Sequence, residues 1–176
     1  QKQRYLPGLA AGRLRGAFSL TEPQSGSDVA GIRTRAERVG GDYRINGGKI
    51  WCTNAAVADF VVVAAKTGAG DSRGAINFFI VAQGTPGFTV GRQEEKMGAR
   101  GVPSSALFFE DVIVPAESRL GEEGQGFRIV MEALAHSRPI IGARGVGLAQ
   151  GAFDHARSFV MARRAFGQKV SDFQGI

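Results

Sequence analysis

Residues 32–53 read Ile-Arg-Thr-Arg-Ala-Glu-Arg-Val-Gly-Gly-Asp-Tyr-Arg-Ile-Asn-Gly-Gly-Lys-Ile-Trp-Cys-Thr. Apolar and polar residues alternate along 32–39, as in a half-exposed strand, and Gly40-Gly41 then predicts a turn. Asn46-Gly47-Gly48 predicts a second turn, because asparagine and glycine tolerate positive φ, so that residues 43–45 and 49–53 would form a hairpin. The stretch therefore predicts antiparallel β structure.

More short strands are predicted on the C-terminal side of this stretch. They are apolar or aromatic runs separated by turn residues, at 60–65, 75–81, 88–90, 105–109 and 111–115. Strands at this spacing, with no helix between them, predict an antiparallel barrel or sandwich. The glycine-rich residues 68–74 predict an exposed loop.

The pattern becomes helical after residue 120. Residues 125–137 predict a short, largely buried helix that Pro139 ends, and residues 139–164 predict a second helix. One face of the second helix carries mostly apolar or small residues at helical spacing: Ile141, Gly145, Leu148, Ala152, Ala156 and Phe159. We expect other helices or another subunit to cover that face. The predicted fold class is α+β.

Composition and charge restrict the possible functions. The 176 residues are 43% hydrophobic and 22% charged, which is typical of a globular protein. The single cysteine excludes an internal disulfide framework and a cysteine-cluster metal site, and we predict no metal. No apolar run is long enough to predict a membrane span. The net charge of +6 favours an anionic partner, but the basic residues are scattered, so we do not expect nucleic acid.

Three segments are candidates for chemistry. Residues 18–28 combine hydroxyl side chains and glycine in a loop that can present N–H and O–H groups to a polar ring edge or a phosphate; a surface turn is the alternative. Trp51 and Thr53 lie two apart on a strand, so they share one face and could flank a flat cofactor; a core tryptophan is the alternative. Cys52 then points to the opposite face, as a packed thiol. We interpret Glu22 as structural.

The third candidate segment lies at the end of the predicted second helix. Arg163 and Phe166, with Gln174 beyond them, could grip a pyrophosphate and stack on a ring. The alternative is a helix C-cap formed at Gly167.

The order of these motifs resembles the acyl-CoA dehydrogenase family. The resemblance rests on Thr-Glu-Pro-x-x-Gly-Ser-Asp at 21–28, on Asn-Gly-x-Lys-x-Trp-x-Thr-Asn at 46–54 and on Arg-x-x-Phe-Gly at 163–167. It implies three parts: residues 1–16 as the end of an N-terminal helical domain, 17–119 as the middle β domain, and 120–176 as the start of a C-terminal helical domain.

The resemblance also implies the site residues. Phe18, Leu20, Thr21, Trp51 and Thr53 correspond to positions that contact FAD. Arg163, Phe166 and Gln174 correspond to positions that reach the FAD of a neighbouring subunit. Ser27 and Arg138 correspond to positions near the CoA ester.

The implied reaction is α,β-dehydrogenation of an acyl-CoA to the trans-2-enoyl-CoA. A carboxylate takes the α-proton, FAD accepts the hydride, and electrons pass to an electron-transfer flavoprotein. The resemblance further implies a homodimer or homotetramer that acts in fatty acid β-oxidation. The usual catalytic glutamate is expected beyond Ile176, so no catalytic residue is assigned. Some members carry a glutamate just before the position of Arg138, where this chain has Ser137.

Other assignments remain open at this stage. An acyl-CoA oxidase or a flavin monooxygenase would share the fold and the loop residues. A DNA-associated flavoprotein of the alkylation-response type is a third reading, which the net charge favours slightly. No targeting signal opens the chain, so we expect a bacterial cytoplasmic protein, or one of the mitochondrial matrix if the source is eukaryotic.

Overall fold

The computed structural model of the chain describes residues 1–68 and 75–176. The loop predicted at residues 68–74 therefore lies, apart from Gly68, outside the described residues. The chain divides into two compact units, Gln1–Ile129 and Val130–Ile176.

The first unit is built around a β-sheet. Its elements are α1 (Lys2–Ala10), β1 (Gly16–Ser19), β2 (Arg35–Val39), β3 (Asp42–Thr53), β4 (Phe60–Lys66), β5 (Ile76–Ala82), β6 (Phe88–Gln93), β7 (Ser104–Val114) and β8 (Arg119–Leu120). In the described residues these eight strands form one sheet in the order β6-β7-β3-β2-β4-β5-β8, with β1 paired to β4. The strand β3 thus lies between β2 and β7.

The α+β class is confirmed, but the sheet is open and mixed, whereas the prediction was a wholly antiparallel barrel or sandwich. Strand β1 runs parallel to β4, from the pair Gly16 and Phe60 to the pair Ser19 and Val63. The chain between them includes the whole β2–β3 hairpin. Strand β4 then lies beside β1 and runs in the same direction as β1. Alternation of polar and apolar residues predicts strands, but it does not report which distant strand lies alongside.

The hairpin predicted at residues 46–48 is wrong, because β3 continues through them from Asp42 to Thr53. Gly47 has φ 144°, and a Cβ placed on it would lie 2.7 Å from the Cα of Thr34. The glycine is therefore required for a close approach of backbone, which a sequence pattern cannot distinguish from a turn. The predicted turn at Gly40-Gly41 is confirmed, since Val39 pairs with Asp42 across it.

The two strands predicted at 105–109 and 111–115 are one strand, β7. An extra residue bulges from β7 opposite β3, between the pairs Ile45–Val112 and Gly47–Phe109. Asp111 has φ 51° there. Its N–H donates to Asn46 Oδ1 at 2.8 Å, and Asn46 Nδ2 donates to Asp111 Oδ1 at 3.0 Å. Glu110 and Asp111 lie in this bulge, which explains why two consecutive polar residues interrupt the alternation of polar and apolar residues along β7.

The core of the sheet unit consists of apolar side chains that are almost wholly buried. They come mainly from β3, β4, β5 and β7, and include Ile45, Val61, Val63, Phe79, Val81, Leu107, Phe109 and Val112. Burial of this core fixes β3 and β4 as rigid supports for the loop that follows β1.

A single long helix replaces the two that the sequence predicted. Helix α2 runs from Gly126 to Ala162 with Pro139 inside it. Proline removes one backbone hydrogen bond and costs about 3 kcal/mol in a helix interior. The alanine, arginine, leucine and methionine residues on both sides have high helix propensities. They favour a helix that continues past the proline.

The second unit consists of the helix from Val130 onwards and a small hairpin, β9 (Arg164–Ala165) with β10 (Gln168–Lys169). The apolar helix face predicted to need a cover is exposed, with Ile141 at 62% and Leu148 at 68%. Among the residues that the structure describes, no helix combines the length and the hydropathy that a bilayer span requires.

Candidate functional site

The loop after β1 lies against the C-terminal half of β3. Ile50 N–H donates to the carbonyl of Thr21 at 2.9 Å. Lys49 Nζ donates to the carbonyl of Leu20 at 3.1 Å, and the Cys52 thiol contacts the carbonyl of Phe18 at 3.5 Å. The backbone of residues 18–21 is thereby held along residues 49–52, and two of the three candidate segments meet.

A buried ion pair fastens this loop to the strand. Lys49 Nζ lies 2.7 Å from Glu22 Oε1, and the side chains are 0% and 3% exposed. The Glu22 carboxylate accepts four more hydrogen bonds: from Thr34 N at 3.0 Å, Thr34 Oγ1 at 2.6 Å, Arg33 N at 2.6 Å and Gln24 Nε2 at 2.6 Å. The interpretation of Glu22 as structural agrees with this network.

The environment keeps both partners charged near neutral pH. Burial raises the pKa of Glu22, but the Lys49 charge and the hydrogen bonds from Lys49, Thr34 and Arg33 outweigh it and lower the pKa to about 2. Burial is the larger influence on Lys49, and it lowers the pKa of that amine to about 8 although Glu22 opposes the change. At pH 7 the pair is therefore a carboxylate and an ammonium.

Trp51 sits on a bulge of β3. Lys49 pairs with Leu107 and Cys52 with Ser105, so β3 carries one residue more than β7 over this interval. Trp51 has φ 59°, a left-handed conformation that is strained for a bulky side chain and typical of functional sites. Its indole is 56% exposed. The bulge turns a large aromatic side chain out of the sheet, which contradicts the core-tryptophan alternative.

The side chains around Trp51 follow the predicted alternation. Thr53 is exposed, and Cys52 between them is 1% exposed. Burial raises the pKa of the Cys52 thiol, as expected for a packed and unreactive cysteine. The Phe18 ring is held by stacking on Phe78, with centroids 5.5 Å apart, yet it stays 46% exposed.

The two segments that these hydrogen bonds join carry groups suited to a flat aromatic ligand. They are two exposed aromatic side chains, Phe18 and Trp51, and the hydroxyls of the half-buried Thr21 and the exposed Thr53. The Thr21 N–H and hydroxyl make no hydrogen bond to the described residues, so they are available to a ligand. Aromatic faces stack on ring systems, and hydroxyl and amide groups bond ring heteroatoms. The residues present therefore fit a flavin ring.

The third candidate segment is confined to the second unit. Helix α2 ends at Ala162, so Gly167 is not a helix C-cap. Phe166 and Gly167 form a two-residue hairpin turn with φ 50° and 81°, the double positive φ of a type I′ turn. Phe166 is 96% exposed, and its ring meets Phe173 edge to face with centroids 6.2 Å apart. The turn projects a large aromatic side chain from the protein surface.

The remaining predicted residues lie on exposed surfaces. Arg163 and Gln174 are exposed in the second unit, near the hairpin in sequence, and Arg138 is exposed on α2. Ser27 is exposed in the loop of the first unit. Their predicted roles toward FAD and the CoA ester remain predictions.

Sequence reasoning overlooked one member of the site. Lys49 was part of a motif but received no role, although it joins the loop to the strand. The sequence carries no signal for this role, because strict alternation from the buried Cys52 would place Lys49 on the exposed face with Trp51 and Thr53. The bulge between Lys49 and Cys52 interrupts that alternation and leaves Lys49 buried.

Comparisons with known proteins cover the whole chain. The sequence model of the acyl-CoA dehydrogenase middle domain matches residues 17–112, and that of the acyl-CoA dehydrogenase C-terminal domain matches residues 124–176. The short-chain specific acyl-CoA dehydrogenase of Clostridium acetobutylicum is 43% identical over 176 residues, which are 100% of this chain and 46% of that protein. The chain thus spans less than half the length of this relative.

Two solved structures share the fold. Butyryl-CoA dehydrogenase from Megasphaera elsdenii matches with a TM-score of 0.93 and 41% identity, over 98% of this chain and 45% of that chain. The FAD complex of PigA matches with a TM-score of 0.93 and 32% identity, over 98% of this chain and 45% of that chain.

Proposed function

The chain belongs to the acyl-CoA dehydrogenase family, and from this premise we propose that its protein is a FAD-dependent enzyme that oxidises an acyl-CoA thioester to the trans-2-enoyl-CoA. The observation that carries the proposal is the hydrogen bond from Ile50 N–H to the Thr21 carbonyl at 2.9 Å. It brings the polar loop beside the exposed Trp51, as a site for a flat ring requires.

The described residues would bind the flavin through stacking and hydrogen bonds. Trp51 would cover part of the ring with its exposed indole, while the Thr53 hydroxyl and the Thr21 N–H and hydroxyl would bond polar atoms of the ring. Phe18 and Leu20 would complete the contact surface. When bound, FAD would accept the hydride equivalent from the β-carbon of the substrate. The same residues would exclude water from the reacting carbons.

The second unit would serve a neighbouring subunit. An aromatic residue held in a left-handed turn and 96% exposed is suited to insertion into another surface, because its conformation is already fixed before contact. We propose that Phe166, with Arg163 and Gln174, contacts the diphosphate and adenine parts of the FAD of a partner subunit in a homodimer or homotetramer. Ser27 and Arg138 would bind the CoA portion of the substrate.

Further parts of the proposal concern the cellular setting. Electrons would leave the reduced cofactor to an electron-transfer flavoprotein, and the pathway served would be fatty acid β-oxidation. The compartment would be the cytoplasm of a bacterium or the mitochondrial matrix of a eukaryote.

Purification of the full-length protein tests the proposal directly. We expect a yellow protein whose flavin is released by denaturation and identified as FAD by chromatography. Anaerobic addition of a suitable acyl-CoA should bleach the absorption near the flavin maximum and yield the enoyl-CoA. Rapid reoxidation by oxygen with peroxide formation would instead indicate an oxidase, and a colourless protein that cannot be reconstituted with FAD would contradict the proposal.

Substitution of Trp51 should separate stability from cofactor binding. Trp51→Gly removes the indole and the left-handed strain, so we expect weaker FAD binding with no loss of stability in the apoprotein. Trp51→Ala removes the same indole but keeps a Cβ at φ 59°, so it should be less stable than the glycine variant by about 1 kcal/mol. Denaturant titration of both apoproteins gives this difference. Equal stability of the two variants would refute the strain, and unchanged FAD affinity would refute the role of the indole.

A further inference from the structure

We propose that the buried Glu22–Lys49 ion pair is a positioning device that holds the loop after β1 in the geometry that binds the flavin ring. This inference rests on the proposed FAD site and assigns a role to two residues that do not themselves contact the cofactor in that proposal. They would act through the backbone of Leu20 and Thr21 and through the β3 segment that carries Trp51.

The ion pair connects the two sides of the proposed ring site. On the loop side, Glu22 and Ser25 close a tight turn with two backbone hydrogen bonds. Glu22 N–H donates to the Ser25 carbonyl at 2.9 Å, and Ser25 N–H donates to the Glu22 carbonyl at 3.0 Å. On the strand side, Lys49 lies two residues before Trp51, and its ammonium bridges Glu22 Oε1 at 2.7 Å and the Leu20 carbonyl at 3.1 Å. One side chain therefore fixes the loop relative to the bulge.

The hydrogen bonds of Lys49 and Ile50 also orient the polar groups of the loop. They occupy the carbonyls of Leu20 and Thr21. The Thr21 N–H and hydroxyl make no bond to the described residues and stay available. A loop that was free to rotate would have to be ordered when the cofactor binds, and that ordering would reduce the affinity.

Stability alone gives a poor account of this pair. Replacement of a buried ion pair by apolar side chains of similar volume is often neutral or stabilising, because both ions lose their hydration on burial. The pair also has more partners than pairing requires, since the carboxylate accepts bonds from Gln24, Arg33, Thr34 and Lys49. These partners come from three separate segments of the chain, which is what a positioning role needs.

The test uses the double variant Glu22→Gln/Lys49→Met in the full-length protein. It removes both charges and the amine that bridges to Leu20, while the volumes stay close to the originals. We expect the apoprotein to keep its melting temperature within a few degrees. We expect the FAD dissociation constant to rise at least about tenfold, because the loop is no longer ordered in advance, and the visible absorption spectrum of the bound flavin to shift.

Val112→Ala is the matched control. It shortens a fully buried side chain of β7 that pairs with Ile45, in the half of β3 before the segment that carries Trp51, so it should lower the melting temperature and leave the FAD affinity and the flavin spectrum unchanged. A double variant that folds, binds FAD with wild-type affinity and has the wild-type flavin spectrum would overturn the inference. If the wild-type protein itself binds no FAD, the proposed function fails instead, so the two failures are distinguishable.

A second variant decides the question if the double variant does not fold. Thr34→Val is nearly isosteric and removes the hydroxyl, which donates to Glu22 Oε1 at 2.6 Å and lies 3.4 Å from the Gly48 carbonyl, while the ion pair remains. We expect the FAD dissociation constant to rise about threefold, with the same direction of spectral shift. Wild-type affinity in this variant would overturn the inference.

Discussion

Replacement of Lys49 with methionine is expected to lower the free energy of unfolding by about 3–5 kcal/mol, because it leaves the Glu22 carboxylate buried without its cation. The two side chains are 0% and 3% exposed, so water cannot take over the role of the ammonium. Bonds from Thr34, Arg33 and Gln24 would remain, but they do not supply a full positive charge. Denaturant titration of the apoprotein measures the loss.

The companion variants show whether the loss comes from the missing charge. Glu22→Gln/Lys49→Met should recover most of the stability, since neither ion is then left alone in the interior. Arg38→Met breaks the exposed Arg38–Glu123 ion pair, which is 2.8 Å long, and should leave the free energy of unfolding almost unchanged. A Lys49→Met protein as stable as the wild type would show that the buried pair contributes nothing to folding.

The pH dependence of stability follows from the same carboxylate. The folded-state pKa of Glu22 is about 2 against an ordinary value of 4.5, so the unfolded state binds the proton more tightly. The contribution to stability is then fully present above pH 4.5 and is lost as the pH falls towards 2. At 1.36 kcal/mol per pKa unit it is worth roughly 3 kcal/mol. In the double variant this part of the acid destabilisation should be missing, which titrations between pH 2 and pH 5 would show.

Local patterns in the sequence were sufficient to predict most of the strands, whereas only the resemblance to a known family implied that the loop and Trp51 share one site. Alternation placed Trp51 and Thr53 on one exposed face and Cys52 on the buried one, and the structure agrees. Side chains alternate along a regular strand, so the prediction holds from Trp51 to Thr53. It fails across the bulge at Trp51, where Lys49 and Cys52 are both buried although they lie three residues apart.

The errors arose where a local signal has two physical causes. Gly47 is typical of a turn, but it lies in the middle of strand β3, where its backbone packs closely against Thr34. Pro139 predicts the end of a helix, but helix α2 extends on both sides of it. In each case packing with residues distant in sequence, or the propensity of the flanking segments, decided between two local options. The parallel pairing of β1 with β4 depends wholly on such distant contacts.

Gly87→Ala is expected to lower the free energy of unfolding by about 2–5 kcal/mol, because the position is both strained and crowded. Gly87 has φ 80°, and a Cβ built on it would lie 2.0 Å from the carbonyl oxygen of Glu110 and 3.3 Å from a methyl carbon of Val112. Glu110 N–H donates to the Gly87 carbonyl at 3.0 Å. Relief of the clash would therefore separate this backbone pair, at the β7 bulge that follows Glu110.

Gly84→Ala separates the two causes, because it has the same backbone conformation without the crowding. Gly84 has φ 81°, and nothing lies within 4 Å of a Cβ built on it. Its substitution should cost only the left-handed strain of about 1 kcal/mol. The difference between the two alanine variants, from denaturant titration, then measures the close approach of β7 to the segment before β6. Equal losses in the two variants would show that backbone strain alone requires glycine at position 87 and that β7 can move away from an added methyl group.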